Sequence, residues 1–452
     1  MERTDVLVIG GSAAGIVAAV TGKSNYPDKD FLLIRKEKQS IVSCGIPYIF
    51  GSLENSDGDV APDEVLTKAG VNLKIGKAVA IDRKNKVCKN ADGTEIRFEK
   101  VVLALGSTPE VPKWLKGTNL KNVFTIPKNK EYLDETLAKL KRKASQKVVT
   151  IGGGFIGVEV SDELRKIGND VTIVEILPHV LGLVFDEEIS IKAEEILKSR
   201  GVTIKSGVGV KEVLGDGKTT GVLLNDGEKL EADAVILSVG YHPNTELARR
   251  SDIEMGEMGA IKVDEYMRTD DPDIFAVGDC AEKRDFFTGK MSGIMLASTA
   301  TSEARIAGMN LYNLSAIKTF CGTIAIFSTA IGETGFGAAG LTETTARGEG
   351  FDIITGTFEG VDRHPRALSG AHTQSVKLIV ARESGVILGG EVIGGASAGE
   401  LINLIGFIVQ NKMTVNSILT CQIGTHPLLT ASPTAYPLIK AAEVVLTKVR
   451  RL

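Results

Sequence analysis

One pattern limits the fold of this chain more than any other: a strand, a glycine turn and a helix that occur twice. The complete copy is KVVTIGGGFIGVEV, in which Gly152, Gly154 and Gly157 keep G-x-G-x-x-G spacing. A strand over 148–151 precedes the turn and a helix follows it. A second strand over 171–174 then ends in Glu175. Such a turn points backbone N–H groups at a pyrophosphate and leaves no side chain in its way. The acid at the end of the second strand meets the ribose hydroxyls. A carboxylate there repels a 2′-phosphate, so NADH is expected in preference to NADPH.

The other copy is DVLVIGGSAAGIVAAV. A strand over 6–9 is apolar on both faces, as in a parallel sheet covered on each side. Gly10, Gly11, Ser12, Ala13, Ala14 and Gly15 turn the chain into a helix, with Ser12 in place of the middle glycine. The second strand, over 31–34, runs into Arg35, Lys36 and Glu37, so a base stands where an acid is expected. Glu37 substitutes only if the turn lets it reach back; the alternative is a solvated charge cluster. Three further apolar strands end in a small-residue turn: KVVLALGSTP (100–109), AVILSVGYHPN (234–244) and PDIFAVGDCAE (272–282). Asp279, beside Gly278 at a strand's C-terminal end, can hold a cofactor hydroxyl or cap a helix before Ala281.

Length and composition exclude several classes. A chain of 452 residues implies about three domains. A hydrophobic share of 43% with 24% charged residues is that of a globular protein, and a net charge of -4 gives no reason to expect nucleic acid or an anionic membrane as partner. There is no apolar run of about 18 residues and no signal-peptide pattern at the N-terminus. The five cysteines, Cys44, Cys88, Cys280, Cys321 and Cys421, are odd in number and scattered. They argue against a disulfide framework or a metal site, and for a reducing cytoplasm.

In order and spacing, VLVIGGSAAG, VVLALGSTP, VVTIGGGFIGVEV and IFAVGDCAE resemble the pyridine nucleotide–disulfide oxidoreductases along essentially the whole chain. The resemblance implies an α/β fold with two Rossmann-like dinucleotide-binding domains and an α+β C-terminal dimerisation domain. FAD would occupy a split domain, 1–110 and 245–321; NAD would occupy 111–244, entered through a helix near 128–145; 322–452 would form the homodimer interface. Asp279 would meet the flavin ribityl–phosphate region and Glu159 would lie near the nicotinamide. Arg35, Lys36, Val79, Ala104, Gly106, Ala297 and Gly240 complete the expected cofactor-binding positions.

SIVSCGIPYIFGS carries one cysteine, Cys44, with no second sulfur until Cys88. That resembles the single-cysteine branch of the family, which includes coenzyme A disulfide reductases, NADH oxidases and persulfide reductases. One sulfur suits the chemistry, because a thiolate against flavin can be held as a mixed disulfide, persulfide or sulfenic acid. Ser43 and Ser40 are expected to supply hydroxyls near it, and its pKa is expected to be depressed; the other four cysteines are expected to be small buried hydrophobes. Departures narrow the substrate. Ala13 stands where the oxidases and peroxidases have a histidine, only Lys23 is basic at the end of the first helix, and His364 and Gly424 stand where coenzyme A reductases have tyrosines. His426 and Tyr436 remain as donors to a leaving thiolate. The expected activity is electron transfer from NADH through flavin and Cys44 to a small disulfide, persulfide or polysulfide. The alternatives are oxygen reduction, reduction of a redox partner protein and, last, NAD(H) sensing. Apolar residues over 401–409 and 435–446 are expected to exceed what a lone small domain covers.

Overall fold

A computed structural model describes residues 1–141, 145–315 and 321–450. Two parallel five-stranded sheets dominate it. The first runs in the order Ile274–Ala276, Lys100–Leu103, Val6–Ile9, Phe31–Arg35, Asn72–Ile75. Val6, Leu7, Val8, Val101, Val102 and Leu103 are fully buried, the signature of a sheet covered on both faces. The helices Ala13–Asn25 and Ala297–Met309 pack together on one of those faces.

The second sheet runs in the order Val123–Thr125, Ala234–Leu237, Lys147–Ile151, Asp170–Glu175, Thr203–Ser206, again all parallel. The chain leaves the first sheet and returns to it through a two-stranded ribbon, Ser107–Pro109 against Tyr241–Pro243. Between them the expected helix forms over Lys130–Leu140, where the Asn129 side chain accepts from Tyr132 N–H at 2.8 Å. The end of its expected span reaches 142–144, outside the described residues; so do 316–320, just before the expected domain junction at 321.

Residues 327–394 form an antiparallel sheet in the order Phe327–Ile331, Thr334–Gly340, Ile387–Gly394, Thr373–Ala381, Ile353–Val361. The helices Ala398–Gln410 and Pro437–Arg450 cover it. The expected apolar excess is smaller than the sequence suggests. Leu401, Ile402, Ile405, Ile408 and Val409 are buried in this unit's own core, as are Leu438, Ala441, Ala442 and Val445. Leu404, Phe407, Leu428, Leu429 and Val449 are the large apolar side chains left exposed here among the described residues. An apolar run does not reveal which of its faces the domain itself consumes.

This C-terminal unit is seated on the second parallel sheet. Phe327 stacks on Phe155 with ring centroids 5.3 Å apart, and Gly332 N–H reaches Asp162 at 3.3 Å. Lys377 buries its ammonium 2.9 Å from Asp186, 2.5 Å from Glu188 and 3.1 Å from Glu343. Burial alone would lower the Lys377 pKa, but the Glu188 and Asp186 carboxylates hold it up. Burial and the charge on Asp186 push Glu391, at the same cluster, up to about 9. Asp186, Glu188 and Glu391 are the described group whose spacing suits a metal ion, and the Lys377 ammonium already lies among them. Removing that cation strands buried carboxylates, so Lys377→Met should lower the unfolding free energy in urea by about 3–5 kcal/mol. An unchanged urea midpoint would mean that the cluster contributes nothing to holding the two units.

Candidate active site

Both glycine turns are built by close backbone approach. Gly10 has φ +119°, and a Cβ there would sit 2.0 Å from the Ala104 carbonyl oxygen; a Cβ on Gly15 would sit 1.9 Å from the oxygen of Gly10. Gly157 stands in the same relation to Gly152, at 2.0 Å, and Gly152 has φ +103°. Ser12 and Gly154 are the N-caps of the two helices, and no side chain caps either one. The first-turn N–H groups therefore face outward, and a Cβ on Gly154 would meet nothing within 4 Å. Each turn is a cradle for a pyrophosphate, and the residues fit two dinucleotides.

The motifs of the first sheet converge on its turn. A Cβ on Gly278 would meet Ala14 at 3.0 Å, and Gly278 N–H donates to Glu303 at 2.7 Å. No helix follows Asp279, so the capping role considered for it falls away. Its carboxylate instead accepts from Ser107 Oγ and Lys128 Nζ, each at 2.7 Å. Burial works against the charge on Asp279, but Lys128 and Ser107 hold its pKa below the usual range. Ala104 lies under Gly10 just past the strand Lys100–Leu103, and Gly106 (φ +68°) follows two residues later. Ala297 begins the helix that packs on the first one, Val79 lies in the strand Ala78–Asp82, and Gly240 (φ +112°) begins the return ribbon. Lys36 is exposed beside Glu37, and the Arg35 side chain lies against Gly11.

Cys44 is exposed at the end of a loop whose backbone is pinned at 40–42 to residues 59–61: Val42 N–H donates to Asp59 O at 2.9 Å, and Ala61 N–H to Ser40 O at 2.8 Å. Gly45 then caps the short 3-10 helix Ile46–Phe50, which packs on the helix Phe155–Lys166 of the second sheet. This contact brings Cys44 and Glu159 into one site. Although the residue reaches solvent, partial desolvation by its neighbours, then the charge on Glu159, pushes the Cys44 thiol up, and Lys128 pulls it the other way. Among the chain's own groups, three acids, Glu159, Asp59 and Asp279, act on it against one ammonium, opposite to the expected depression of the thiol pKa. Ser40 is also reassigned. It is buried, and its hydroxyl donates to Gly11 O at 2.7 Å, so it braces the glycine turn. Ser43 is half-buried immediately before Cys44. Among the other cysteines, Cys88 and Cys280 are buried as expected, whereas Cys321 and Cys421 are exposed.

Glu159 is half-buried, and Thr329 of the C-terminal unit donates to it at 2.7 Å. Burial, with Glu163 nearby, raises Glu159 to about 7. Glu175 stands at its strand end as expected, accepting from Gly153 N–H at 2.5 Å and Leu177 N–H at 2.8 Å. One site thus joins two dinucleotide cradles, a sulfur and an acid that exchanges its proton near neutrality.

The pyridine nucleotide-disulphide oxidoreductase model matches residues 4–304, and that family's dimerisation domain matches 326–436. The chain belongs to this family. It is 30% identical over 450 residues to the NAD(P)H coenzyme A polysulfide/persulfide reductase of Pyrococcus horikoshii, covering 98% of each chain. It is 28% identical over 452 residues to the NADH oxidase of Methanocaldococcus jannaschii, again covering 98% of each. Among solved structures, a NAD-dependent persulfide reductase from A. fulgidus matches with TM-score 0.90 and 28% identity, over 99% of this chain and 84% of that one. The Lactobacillus brevis water-forming NADH oxidase bound to NADH matches with TM-score 0.88 and 26% identity, over 99% of both. As a member of the family, the protein is a flavoenzyme that uses FAD and a nicotinamide nucleotide. No helix among the described residues is long and apolar enough to cross a membrane.

The remaining expected residues lie on the C-terminal unit. His426 is exposed, and its hydrogen bonds stay within 426–430. His364 joins the same loop through Thr430 O at 3.1 Å and Pro427 O at 3.1 Å, so the two stretches that depart from the coenzyme A reductases are neighbours. Two residues near Cys44 escaped the sequence reading. Lys128 gives no periodic or motif signal, and only the fold places it on Asp279. Tyr48, four residues after Cys44, is pushed up to about 12 by burial and then by Glu159.

Were Glu159 beside the nicotinamide, as expected, its charged form would favour the cation that hydride loss leaves. Flavin reduction by NADH should therefore accelerate roughly ten-fold as pH rises through about 7. Stopped-flow rates should be nearly flat across that range in Glu159→Gln; a retained pH step would place the titration elsewhere. Glu175→Ala should narrow the preference for NADH over NADPH by roughly 1–3 kcal/mol in kcat/KM. Equal efficiency with both nucleotides in the unmodified enzyme would show that Glu175 does not face the ribose.

Proposed function

We propose that this flavoenzyme passes electrons from NADH to a small disulfide, persulfide or polysulfide through Cys44. The observation that carries the reading is that Cys44 reaches solvent and shares one electrostatic setting with Glu159 of the second unit and with Asp279 and Lys128. Bound FAD supplies the two-electron relay between nicotinamide and sulfur. The net change is NADH + H⁺ + RSSR′ → NAD⁺ + RSH + R′SH. On the second cradle, Gly152, Gly154, Gly157 and Gly240 would hold the nucleotide, with Glu175 on its ribose and Glu159 at the nicotinamide. On the first, Gly10, Gly11, Ser12, Ala13, Ala14, Gly15, Gly278 and Asp279 would hold FAD. Cys44 would form the mixed disulfide or persulfide with the substrate, with Ser43 beside it.

A proton donor to the leaving thiolate is required at neutral pH. The family's dimerisation domain supports a homodimer, in which His426 of one protomer would serve the other's sulfur. A two-fold arrangement completes both sites together. Relatives named as NADH oxidases favour oxygen reduction as a second reading. Ala13, at the N-terminus of the first helix, offers no imidazole to assist a sulfenic acid and weighs against it.

An anaerobic screen of NADH oxidation with coenzyme A disulfide, polysulfide and protein acceptors, run beside an aerobic control, separates these readings. Cys44→Ser should cut sulfur-substrate reduction by at least roughly 100-fold while flavin reduction by NADH stays within about two-fold. Full sulfur-reducing activity in Cys44→Ser would overturn the assignment of that sulfur.

A further inference from the structure

The two cradles share one register, and at one position they carry opposite charges. Ile9 pairs with Ile34 in the first sheet as Ile151 pairs with Val174 in the second, and each glycine turn begins at the next residue. Arg35 therefore stands where Glu175 stands. In the second unit Glu175 lies against Gly153 and accepts its N–H. In the first, a Cβ on Gly11 would meet Arg35 Cδ at 2.5 Å and Cβ at 2.9 Å. The arginine stem thus lies flat along the turn and carries its guanidinium beyond it.

That guanidinium is buried, and each of its three nitrogens donates. Nε donates to Glu37 O at 2.9 Å and Nη2 to Lys38 O at 2.7 Å. Nη1 and Nη2 grip the two oxygens of Asp63 at 2.5 and 2.7 Å. This parallel, charge-assisted pair fixes the carboxylate rigidly. A guanidinium cannot accept from a ribose hydroxyl, whereas each oxygen of Asp63 keeps a further lone pair, and its side chain is 42% exposed. Glu37, the other nearby acid, turns its carboxylate toward Lys36 at 3.5 Å and meets Arg35 only through its carbonyl.

We propose that Asp63, held by Arg35, accepts the adenosine ribose hydroxyls of FAD, so that an arginine–aspartate relay replaces the carboxylate that ends the equivalent strand of the nucleotide unit. The relay moves the acceptor onto the segment before the helix Glu64–Lys68 and leaves the pair neutral beside a doubly charged pyrophosphate. Arg35 is a positioning residue and Asp63 a binding residue. The proposal rests on the family's use of FAD and is independent of which acceptor Cys44 serves.

The test titrates deflavinated protein with FAD and with its 2′,3′-dideoxyadenosine analogue, read by flavin fluorescence. The unmodified protein should bind the analogue roughly ten-fold more weakly than FAD, the scale of one lost charge-assisted hydrogen bond. Asp63→Asn should weaken FAD by a similar factor and bind FAD and the analogue alike, while Glu37→Gln should keep the full discrimination. Because the ratio is read within one protein, a loss of stability in a variant does not mimic the result. Arg35→Met should also erase the discrimination, by freeing Asp63. Retained discrimination in Asp63→Asn, or its loss in Glu37→Gln, would overturn the relay. Failure of every protein, the unmodified one included, to bind FAD would instead strike the cofactor assignment itself.

Discussion

Everything in this molecule that handles a cofactor depends on how closely the chain passes itself at two glycine turns. Gly15 lies on the carbonyl of Gly10, and Gly157 on that of Gly152, each so near that a single methyl group would collide. The approach sets each helix directly over the end of its strand and points its uncapped N–H groups into the cleft. Without it, neither phosphate cradle exists. The bracing is local and specific: Ser40 bonds Gly11 O in the first turn, and Glu175 bonds Gly153 N–H in the second.

The two cradles become one enzyme through the loop that carries Cys44. Its backbone is tied to residues 59–61, and the short helix after it lies on the helix that carries Glu159. Thr329 of the C-terminal unit closes the other side of Glu159. Three units, far apart in sequence, therefore contribute to one electrostatic setting. Glu159, Asp59 and Asp279 raise the Cys44 thiol while Lys128 opposes them, and burial lifts Glu159 to about 7. Asp59 is part of this setting: its Oδ1 lies against Gly45, where a Cβ would come within 1.8 Å, and burial raises it to about 6. A larger residue than glycine after Cys44 would displace it.

Charge placement also holds the units together. Lys377, from the antiparallel sheet, reaches into the acids at the start of the helix Glu187–Ser199, and Asp162 receives both Arg200 and the Gly332 N–H. Desolvation offsets much of the attraction in buried ion pairs of this kind, so their cost appears mainly when one partner is removed and the other is left buried.

The residues alone determined the two strand, glycine-turn and helix units and the strand ends that carry Asp279 and Glu175. These signals are local: glycine at fixed spacing, apolar runs of strand length, and an acid at a strand end each report a backbone requirement within a few residues. Tertiary structure alone decided which side chains meet. Ser40 moved from the thiol to the glycine turn, Lys128 joined Asp279 across 151 positions, and Arg35 was claimed by Asp63. The chain's own groups raise the Cys44 thiol where a depressed one was expected, and the apolar helix Ala398–Gln410 spent most of its surface on its own domain. The physical reason is the same in each case. Desolvation and charge–charge energies depend on distances through space, and those distances exist only once the sheets are stacked.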